Sequence, residues 1–344
     1  MLRMPVVWDE RCRLHDPGGE IWVGVRTQGT ESAARMDAIL AALDGTTVVA
    51  ATQHVDDLLL AVHDETLVAY LRTAWDEWVR AGLPDDPGQD RVVPYIFPHP
   101  GLGAPVPRVP TAAWAKPGFF TYDTMTLVGP GTWEAVRGAV DTALTAADLV
   151  TAGAPHAYAC VRPPGHHACR TCFGGSCYLN NAAVAAESLR RGGRRVAVLD
   201  IDAHHGNGTQ EIFWESDDVR VASVHVDPGE GWFPHYLGFA DETAGSGNLN
   251  IPVSPGSGDD EWLAALREAA DWTRGADALV VPLGVDAAAG DPESPLRVTA
   301  GGFREAGRII GALGLPTVLV QEGGYDLDTL GSLVREVLLG VEDV

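Results

Sequence analysis

The stretch RVAVLDIDAHHGNG, residues 195–208, carries the pattern that decides the fold of this chain. Its apolar part, 196–203, predicts a buried strand of a parallel sheet, because such strands are covered on both faces and lack polar alternation. Asp202 and His204 stand two positions apart near the end of this run, so we expect both side chains to leave the same face of the strand. A carboxylate and an imidazole placed in this way suit metal chelation.

Three further segments place polar residues after apolar runs: RPPGHHA (162–168), GVD (284–286) and EGGY (322–325). Asp286 would complete the set of three protein ligands that a catalytic zinc takes beside an open position for water. His166 and His167 follow a stiff Pro-Pro-Gly turn and could accept and donate protons next to that water. Tyr325 follows two glycines, which allow close approach to a substrate, and its hydroxyl could donate to an oxyanion.

Alternating strand and helix patterns organise the whole chain. Apolar runs typical of strands lie at 5–8, 47–51, 157–161, 196–203, 219–226, 278–285 and 317–320. Helical periodicity lies at 31–43, 132–151, 181–191, 260–274, 303–313 and 328–339. This order predicts a single α/β domain over 1–344, with a central, mainly parallel sheet of about eight strands and helices on both faces. The polar segments then fall beyond the carboxyl ends of the strands, where such sheets bind ligands.

The charge balance narrows the classes of partner. With 24 basic and 47 acidic residues the formal net charge is −23, which argues against nucleic acid as a partner and favours a cationic substrate over an anionic one. General solubility explains most of these carboxylates equally well. The chain has neither a secretory leader pattern nor a charge-free run of membrane-spanning length, so we expect a soluble, cytoplasmic protein that does not bind membranes.

Five cysteines in so long a chain do not indicate a disulfide scaffold. Cys169 and Cys172 have Cys-x-x-Cys spacing, but no second pair accompanies them, so a structural zinc site is not predicted. We interpret them as two loop thiols near the pocket, with reversible oxidation that gates access as the alternative.

Each motif also has a purely structural interpretation when taken alone. An Asp-x-His at a strand end is often a capped loop, a His-His pair is often a polar pair in a turn, and Glu-Gly-Gly-Tyr could be a turn with a packed tyrosine. Because four such segments occur in one chain, each after an apolar strand, we interpret them together as a single functional site.

With these residues in view, the chain resembles the zinc-dependent histone deacetylase superfamily, and within it the bacterial acetylpolyamine amidohydrolases, over most of its length. The resemblance implies an arginase/deacetylase-like fold and one Zn²⁺ per chain, or Fe²⁺ in its place. It assigns the metal to Asp202, His204 and Asp286 and the catalysis to His166, His167 and Tyr325. It also places Asp200 behind His166, Asn207 behind His167, and a structural K⁺ at Asp200 and Ser223.

The resemblance extends to the substrate pocket. Phe233 matches one aromatic wall of the family's acyl-lysine tunnel, but Ser176 stands where the family has the opposite aromatic. Either the pocket is wider here, or Trp232 or Tyr236 fills the gap.

Two carboxylates are candidates for binding an amine. Asp123 matches a rim aspartate of the family, and Glu293 matches a gatekeeper glutamate of its polyamine-selective members. Glu293 could equally cap the Asp291-Pro292 turn. The long segments 83–117 and 227–259 are expected to border the pocket.

The resemblance implies removal of an acetyl group from an acetylated polyamine or a similar small cationic amide, by a protein that forms a homo-oligomer, expected to be a dimer. Hydrolysis of acetyl-lysine in proteins is the alternative, and a non-catalytic binding module is a third interpretation. Arginase-like chemistry is disfavoured, because His205 is followed by Gly206 and Asn207 and not by further carboxylate ligands.

Overall fold

The computed structural model describes residues 2–99, 101, 108–245 and 247–344. Eight strands form one sheet: β1 (Val6–Trp8), β4 (Val48–Ala50), β5 (His156–Cys160), β6 (Val196–Asp200), β7 (Val219–Val226), β8 (Asn248–Val253), β9 (Ala278–Leu283) and β10 (Thr317–Gln321). Their order is β4-β1-β5-β10-β9-β6-β7-β8, and every neighbouring pair is parallel. A separate antiparallel hairpin joins β2 (Glu20–Trp22) and β3 (Val25–Thr27).

Helices cover this sheet in two groups. The helices are α1 (Ala34–Ala42), α2 (Asp57–Val62), α3 (Glu65–Arg80), α4 (Pro117–Phe120), α5 (Thr132–Thr151), α6 (Asn181–Arg191), α7 (Asn207–Phe213), α8 (Asp259–Trp272), α9 (Ala300–Gly311) and α10 (Leu330–Glu342). Helices α5 and α6 pack on each other and on the central strands, whereas α1, α10, α9 and α8 form a contiguous second series. The α/β class and the eight-stranded parallel sheet predicted from the sequence are confirmed.

Central strands are apolar throughout because they are buried on both faces, as β6 and β9 show. Side-chain caps fix where the following helices begin. The Asn180 side chain accepts a hydrogen bond from Ala183 N at 2.9 Å at the start of α6, and Thr299 caps α9 in the same way. These caps set the positions of the loops between strands and helices.

Strand β6 is shorter than its apolar run predicts. It ends at Asp200, so Asp202 and His204 lie in the loop that follows it. Asp202 N donates to Asp200 Oδ1 at 3.1 Å, and His204 N donates to Asp202 Oδ1 at 2.9 Å. Aspartate side chains that accept from the backbone two residues onward form tight turns, which end the extended conformation here.

Segment 227–259 is not entirely a loop. It contains β8, the strand of the main sheet that the sequence did not predict, because its mixed Asn, Pro and apolar residues gave no clear strand pattern. In segment 83–117, residues 100 and 102–107 lie outside the described residues.

Within the residues that the structure describes, no helix is both long and apolar enough to cross a membrane. The carboxyl ends of β5, β10, β9 and β6, four adjacent strands at the centre of the sheet, bring the conspicuous polar segments together.

Candidate active site

Asp202, His204 and Asp286 form a compact group beyond β6 and β9. One ligand atom from each lies within 4.8 Å of those of the other two. His204 Nδ1 is 2.9 Å from Asp286 Oδ2 and 3.4 Å from Asp202 Oδ1. Burial first, and then the Asp202 carboxylate, raise the pKa of Asp286 to about 7. Two carboxylates that repel each other in a buried space beside an imidazole fit a divalent cation such as zinc.

Glycines make room for this group. A Cβ on Gly323 would lie 2.5 Å from Asp286 Oδ2 and 2.6 Å from Asp202 Oδ2. A Cβ on Gly284 would lie 2.0 Å from Asp202 Oδ2. Both positions therefore need glycine because the carboxylates occupy the space of a side chain.

Hydrogen bonds from the protein orient the three side chains. His204 Nε2 lies 3.1 Å from the carbonyl oxygen of Glu293, which assigns the proton to Nε2 and leaves Nδ1 free to face the aspartates. Gly323 N donates to Asp202 Oδ2 at 2.7 Å, and Ala203 N donates to Asp286 Oδ1 at 2.9 Å.

The tandem histidines lie beside the aspartate pair, with ring centroids 4.0 Å apart. His166 Nδ1 is 2.9 Å from Asp200 Oδ2, and His166 Nε2 is 3.8 Å from Asp202 Oδ1. His167 Nδ1 is 2.8 Å from Asn207 Oδ1. The structure thus places Asp200 and Asn207 behind the two rings, in the positions that the family resemblance implies.

The two imidazoles have opposite proton affinities. Burial would lower the pKa of His166, but the Asp202 and Asp200 carboxylates outweigh it and raise that pKa to about 10. Burial, reinforced by His166 and His204, holds the pKa of His167 well below its ordinary value. The surrounding charges thus favour the protonated form of His166 and the neutral form of His167.

Two residues that the sequence analysis missed hold Tyr325. The Arg35 guanidinium lies over the Tyr325 ring, 4.7 Å from its centroid, and donates to the carbonyl oxygens of Glu322 and Gly324. Asp291 Oδ2 accepts from Tyr325 N at 2.8 Å. Burial raises the pKa of the Tyr325 phenol well above its usual value, so it remains a proton donor.

Glu322 joins the histidine turn to the tyrosine loop. Its Oε2 accepts from Gly165 N at 2.6 Å and from His166 N at 3.1 Å. Its Oε1 is buried without a hydrogen-bond partner among the described residues, and burial raises the pKa of this carboxyl to about 7. The same carboxyl lies near Cys177 Sγ and His166 in a second three-residue group.

A cavity of about 650 Å³ opens over the group formed by Asp202, His204 and Asp286. His167, His204 and Tyr325 lie among its lining residues. Its walls come from several loops and from the hairpin: Glu20, Trp22, Val23, Thr30, Met125, Gly175, Ser176, Gly231, Trp232, Phe233, His235 and Glu293. The predicted contribution of segment 227–259 is present, but the described part of segment 83–117 does not line the cavity. Hairpin β2–β3 does so instead, and its short strands gave no sequence signal.

Phe233 and Ser176 both line the cavity as predicted. The Phe233 ring contacts the His167 ring edge to face at 4.8 Å, and Ser176 adopts a positive φ of 60°. Trp232 also lines the cavity, whereas Tyr236 is 86% exposed and does not. The expectation that Tyr236 fills the gap is therefore wrong, because its side chain projects into solvent.

Glu293 lies both in the Asp291 turn and in the cavity wall. Its backbone N donates to Asp291 Oδ1 at 3.0 Å, within the turn. Its carboxylate lines the cavity and accepts from Thr30 Oγ1 at 2.7 Å.

The structure gives Asp123 a different place from the one expected. Its carboxylate is absent from the cavity lining and accepts from Met125 N, Thr126 N, Thr126 Oγ1 and Gly175 N. These four bonds use the acceptor capacity of a carboxylate. Asp123 therefore holds the loop beside Ser176, and a direct contact with substrate has no support from its position.

Asp200 and Ser223, the proposed K⁺ residues, are register partners on β6 and β7, and both are buried. The Ser223 hydroxyl lies 2.8 Å from His225 Nδ1. A carboxylate and a hydroxyl at neighbouring strand positions are oxygen donors of the kind that alkali cations take.

Comparison with known proteins agrees with this geometry. A model of the histone deacetylase domain matches residues 29–341. The chain belongs to the histone deacetylase family. The sequence is 40% identical over 348 residues to acetylpolyamine amidohydrolase of Mycoplana ramosa, covering 98% of this chain and 99% of that protein. It is 38% identical over 232 residues to histone deacetylase 8 of Arabidopsis thaliana, covering 63% of this chain and 62% of that protein.

The fold of this histone deacetylase family member also matches a solved structure. The crystal structure of acetylpolyamine aminohydrolase from Burkholderia pseudomallei superposes with a TM-score of 0.92 at 38% identity, covering 99% of each chain. The family resemblance and the deacetylase-like fold predicted from the motifs are confirmed, and the chain is a hydrolase of this family.

Proposed function

We propose that this protein is a metal-dependent amidohydrolase that removes the acetyl group from an acetylated polyamine or a similar small cationic amine. One observation carries the proposal: the cavity over Asp202, His204 and Asp286 is lined by His167 and Tyr325 and by two carboxylate residues without a cationic partner among the described residues, Glu20 and Glu293. Relatives that are similar over nearly their full length are named acetylpolyamine amidohydrolases, which supports this substrate.

Asp202, His204 and Asp286 would hold one Zn²⁺ per chain, with Fe²⁺ as an alternative occupant. When bound, the ion supplies Lewis acidity that polarises an amide carbonyl and lowers the pKa of a bound water. Asp202, when it holds the ion, would raise the pKa of His166 less, and this imidazole could then serve as a general base.

The chain's own residues divide the proton transfers. His166, oriented by Asp200, and His167, oriented by Asn207, stand side by side so that the pair can take the proton from the attacking water. His167 lines the cavity and would then protonate the departing amine. The Tyr325 hydroxyl donates to the developing oxyanion, because its raised pKa keeps the proton in place.

Glu20 and Glu293 would bind the ammonium groups of the substrate. The pKa of Glu20 is raised by burial and further by the Glu293 carboxylate, so the two negative charges act on each other across the cavity. An ammonium group between them relieves that repulsion and gains charge-assisted hydrogen bonds.

Asp200 and Ser223 are proposed to hold a structural K⁺ behind β6. A cation there would balance part of the carboxylate charge that surrounds His166 and would stiffen the base of the site.

We further propose that the enzyme works in the cytoplasm as a homodimer, without nucleic acid or membrane partners. Large apolar side chains are exposed at the cavity mouth or beside it, including Trp22 and Val23 of the hairpin and Tyr236. A second copy that covers this rim would bury them.

Acetate release from an N-acetylated polyamine tests the proposed reaction. The zinc-loaded enzyme should release acetate, and Asp286→Asn should not, while circular dichroism shows both proteins folded. Absence of turnover in the folded, zinc-loaded wild type on any acetylated amine would overturn the proposal.

A further inference from the structure

The two thiols at Cys169 and Cys172 lie directly behind the catalytic histidines. We propose that they form a reversible disulfide, and that this modification controls activity through Asn207, the residue that orients His167. The proposed activity uses neither thiol.

The backbone already places the two cysteines opposite each other. Cys169 N donates to Cys172 O at 2.8 Å across a two-residue turn. A hydrogen bond of this length across four residues keeps the two Cα atoms less than about 7 Å apart. That limit is compatible with the Cα separation of about 4.4–6.8 Å that a disulfide spans.

Hydrogen bonds from neighbouring segments hold this turn in place. Asp64 N donates to the carbonyl oxygen of Arg170 at 2.8 Å, and Arg170 N donates to Glu211 Oε2 at 2.8 Å. His63 Nδ1 lies 2.9 Å from the carbonyl oxygen of Cys169.

One side chain connects the thiol to the catalytic ring. Asn207 Nδ2 donates to Cys169 Sγ at 3.8 Å, while Asn207 Oδ1 lies 2.8 Å from His167 Nδ1. The Cys169 thiol also donates to the carbonyl oxygen of His167 at 3.8 Å. A Cys169 sulfur bonded to Cys172 turns away from both partners, so the Asn207 amide loses a contact that helps to hold it against the His167 ring.

Exposure and acidity favour this pair over the other cysteines. Cys172 is partly exposed, whereas Cys12, Cys160 and Cys177 are buried. The neighbouring Cys169 thiol lowers the pKa of Cys172, and burial raises the pKa of Cys12 and of Cys160 to about 12. The thiolate is the reactive form, so Cys172 reacts first.

The chemistry needs a peroxide as the oxidant. The Cys172 thiolate attacks one peroxide oxygen, the O–O bond breaks, and a sulfenic acid and water form once the leaving oxygen is protonated. Cys169 sulfur then attacks Cys172 sulfur, the thiol proton and the sulfenic hydroxyl leave as a second water, and the S–S bond forms. The protein loses two electrons and two protons, and a dithiol reductant reverses the change.

The test uses the full-length zinc-loaded enzyme, because zinc itself is not oxidised. After stoichiometric hydrogen peroxide, peptide mapping should show a Cys169–Cys172 disulfide. General acid–base catalysis contributes about 10²–10⁴-fold, so the oxidised form should lose at least on the order of tenfold in kcat. Dithiothreitol should restore both the dithiol and the rate.

Cys172→Ser is the control, with Cys172→Ala as a second variant should the serine protein fold poorly. Either variant should keep basal activity and lose none of it on peroxide treatment. Three results would overturn the proposal: no Cys169–Cys172 disulfide in the folded, treated protein, an oxidised enzyme with unchanged kcat, or equal inactivation of the Cys172 variants.

Discussion

His204 Nδ1 lies 2.9 Å from Asp286 Oδ2, and the opposite ring nitrogen of His204 is held by the carbonyl oxygen of Glu293. The imidazole is therefore oriented by the same loop that places Glu293 in the cavity wall. The proposed metal site and the proposed contact with substrate are thus connected through one turn.

Metal content is the first prediction. The purified protein should contain one divalent cation per chain, because Asp202, His204 and Asp286 form one compact ligand set. Elemental analysis should find that Asp286→Asn loses the metal together with activity. Full activity in a preparation without metal would contradict the assignment.

The second prediction concerns Tyr325. Removing one oxyanion donor typically costs about 10²–10³-fold in kcat, so Tyr325→Phe should fall by this amount. The variant keeps the ring that Arg35 covers, so folding and metal content should match the wild type. A kcat near that of the wild type would exclude the hydroxyl from the reaction.

The third prediction concerns Glu293. Glu293→Gln should lose about 1.5–3 kcal/mol of transition-state stabilisation on a charged acetylpolyamine, the usual range for a hydrogen bond to an ion. A neutral acetyl-amide of equal length should hardly change. Salt should slow the wild type more than the variant on the charged substrate, because the variant no longer has the charge that salt screens.

Equal losses on charged and neutral substrates would assign Glu293 to the turn with Asp291 instead. Glu20→Gln offers a matched comparison, since Glu20 lines the same cavity from the hairpin but has no part in that turn.

The fourth prediction is that Ser176 sets the width of the cavity opposite Phe233. Ser176→Phe supplies a wall opposite Phe233, so kcat/KM for a linear acetylpolyamine should be retained, while that for an amide of a branched or aryl amine should fall. Steric discrimination in a pocket is worth about 10–200-fold, and we expect at least the lower end of that range. Parallel losses on linear and wide substrates would show that the space beside Ser176 is not used.

His63 should make stability depend on pH. Burial lowers the pKa of His63 from 6.5 to about 4 and outweighs the carbonyl oxygen of Cys169, which acts in the opposite direction, while the neutral ring accepts from Asn180 N. The stabilisation is thus complete above pH 6.5 and is lost as pH falls toward 4, where the unfolded chain takes up the proton more readily. Urea unfolding should show the free-energy difference between wild type and His63→Gln shrinking over this interval. A constant difference would contradict the neutral, buried assignment.

The fold and the clustering of Asp202, His204 and Asp286 could be predicted from the sequence because both depend on local patterns. Apolar runs such as those of β6 and β9 predict buried strands, and Asp202, His204 and Asp286 follow these two runs. The polar residues converge because the carboxyl ends of parallel strands share one edge of the sheet.

The parts that were missed depend on distant contacts. Arg35 in α1 contacts the Tyr325 loop, although the two are separated by most of the sequence. No spacing in the sequence predicts this pairing. Glu20 enters the cavity on a short, half-exposed hairpin that lacks the alternation of a strand. Asp123 matches a position of the family pattern, but the role of its carboxylate depends on four hydrogen-bond donors from two loops.

The ratio of kcat/KM for an N-acetylated polyamine to that for an acetyl-lysine peptide, measured with the zinc-loaded wild type, tests the central claim most directly. The two carboxylates in the cavity predict a ratio well above one that falls toward one in Glu20→Gln/Glu293→Gln. A ratio at or below one in the wild type would contradict the claim and identify the protein as a deacetylase of acetyl-lysine.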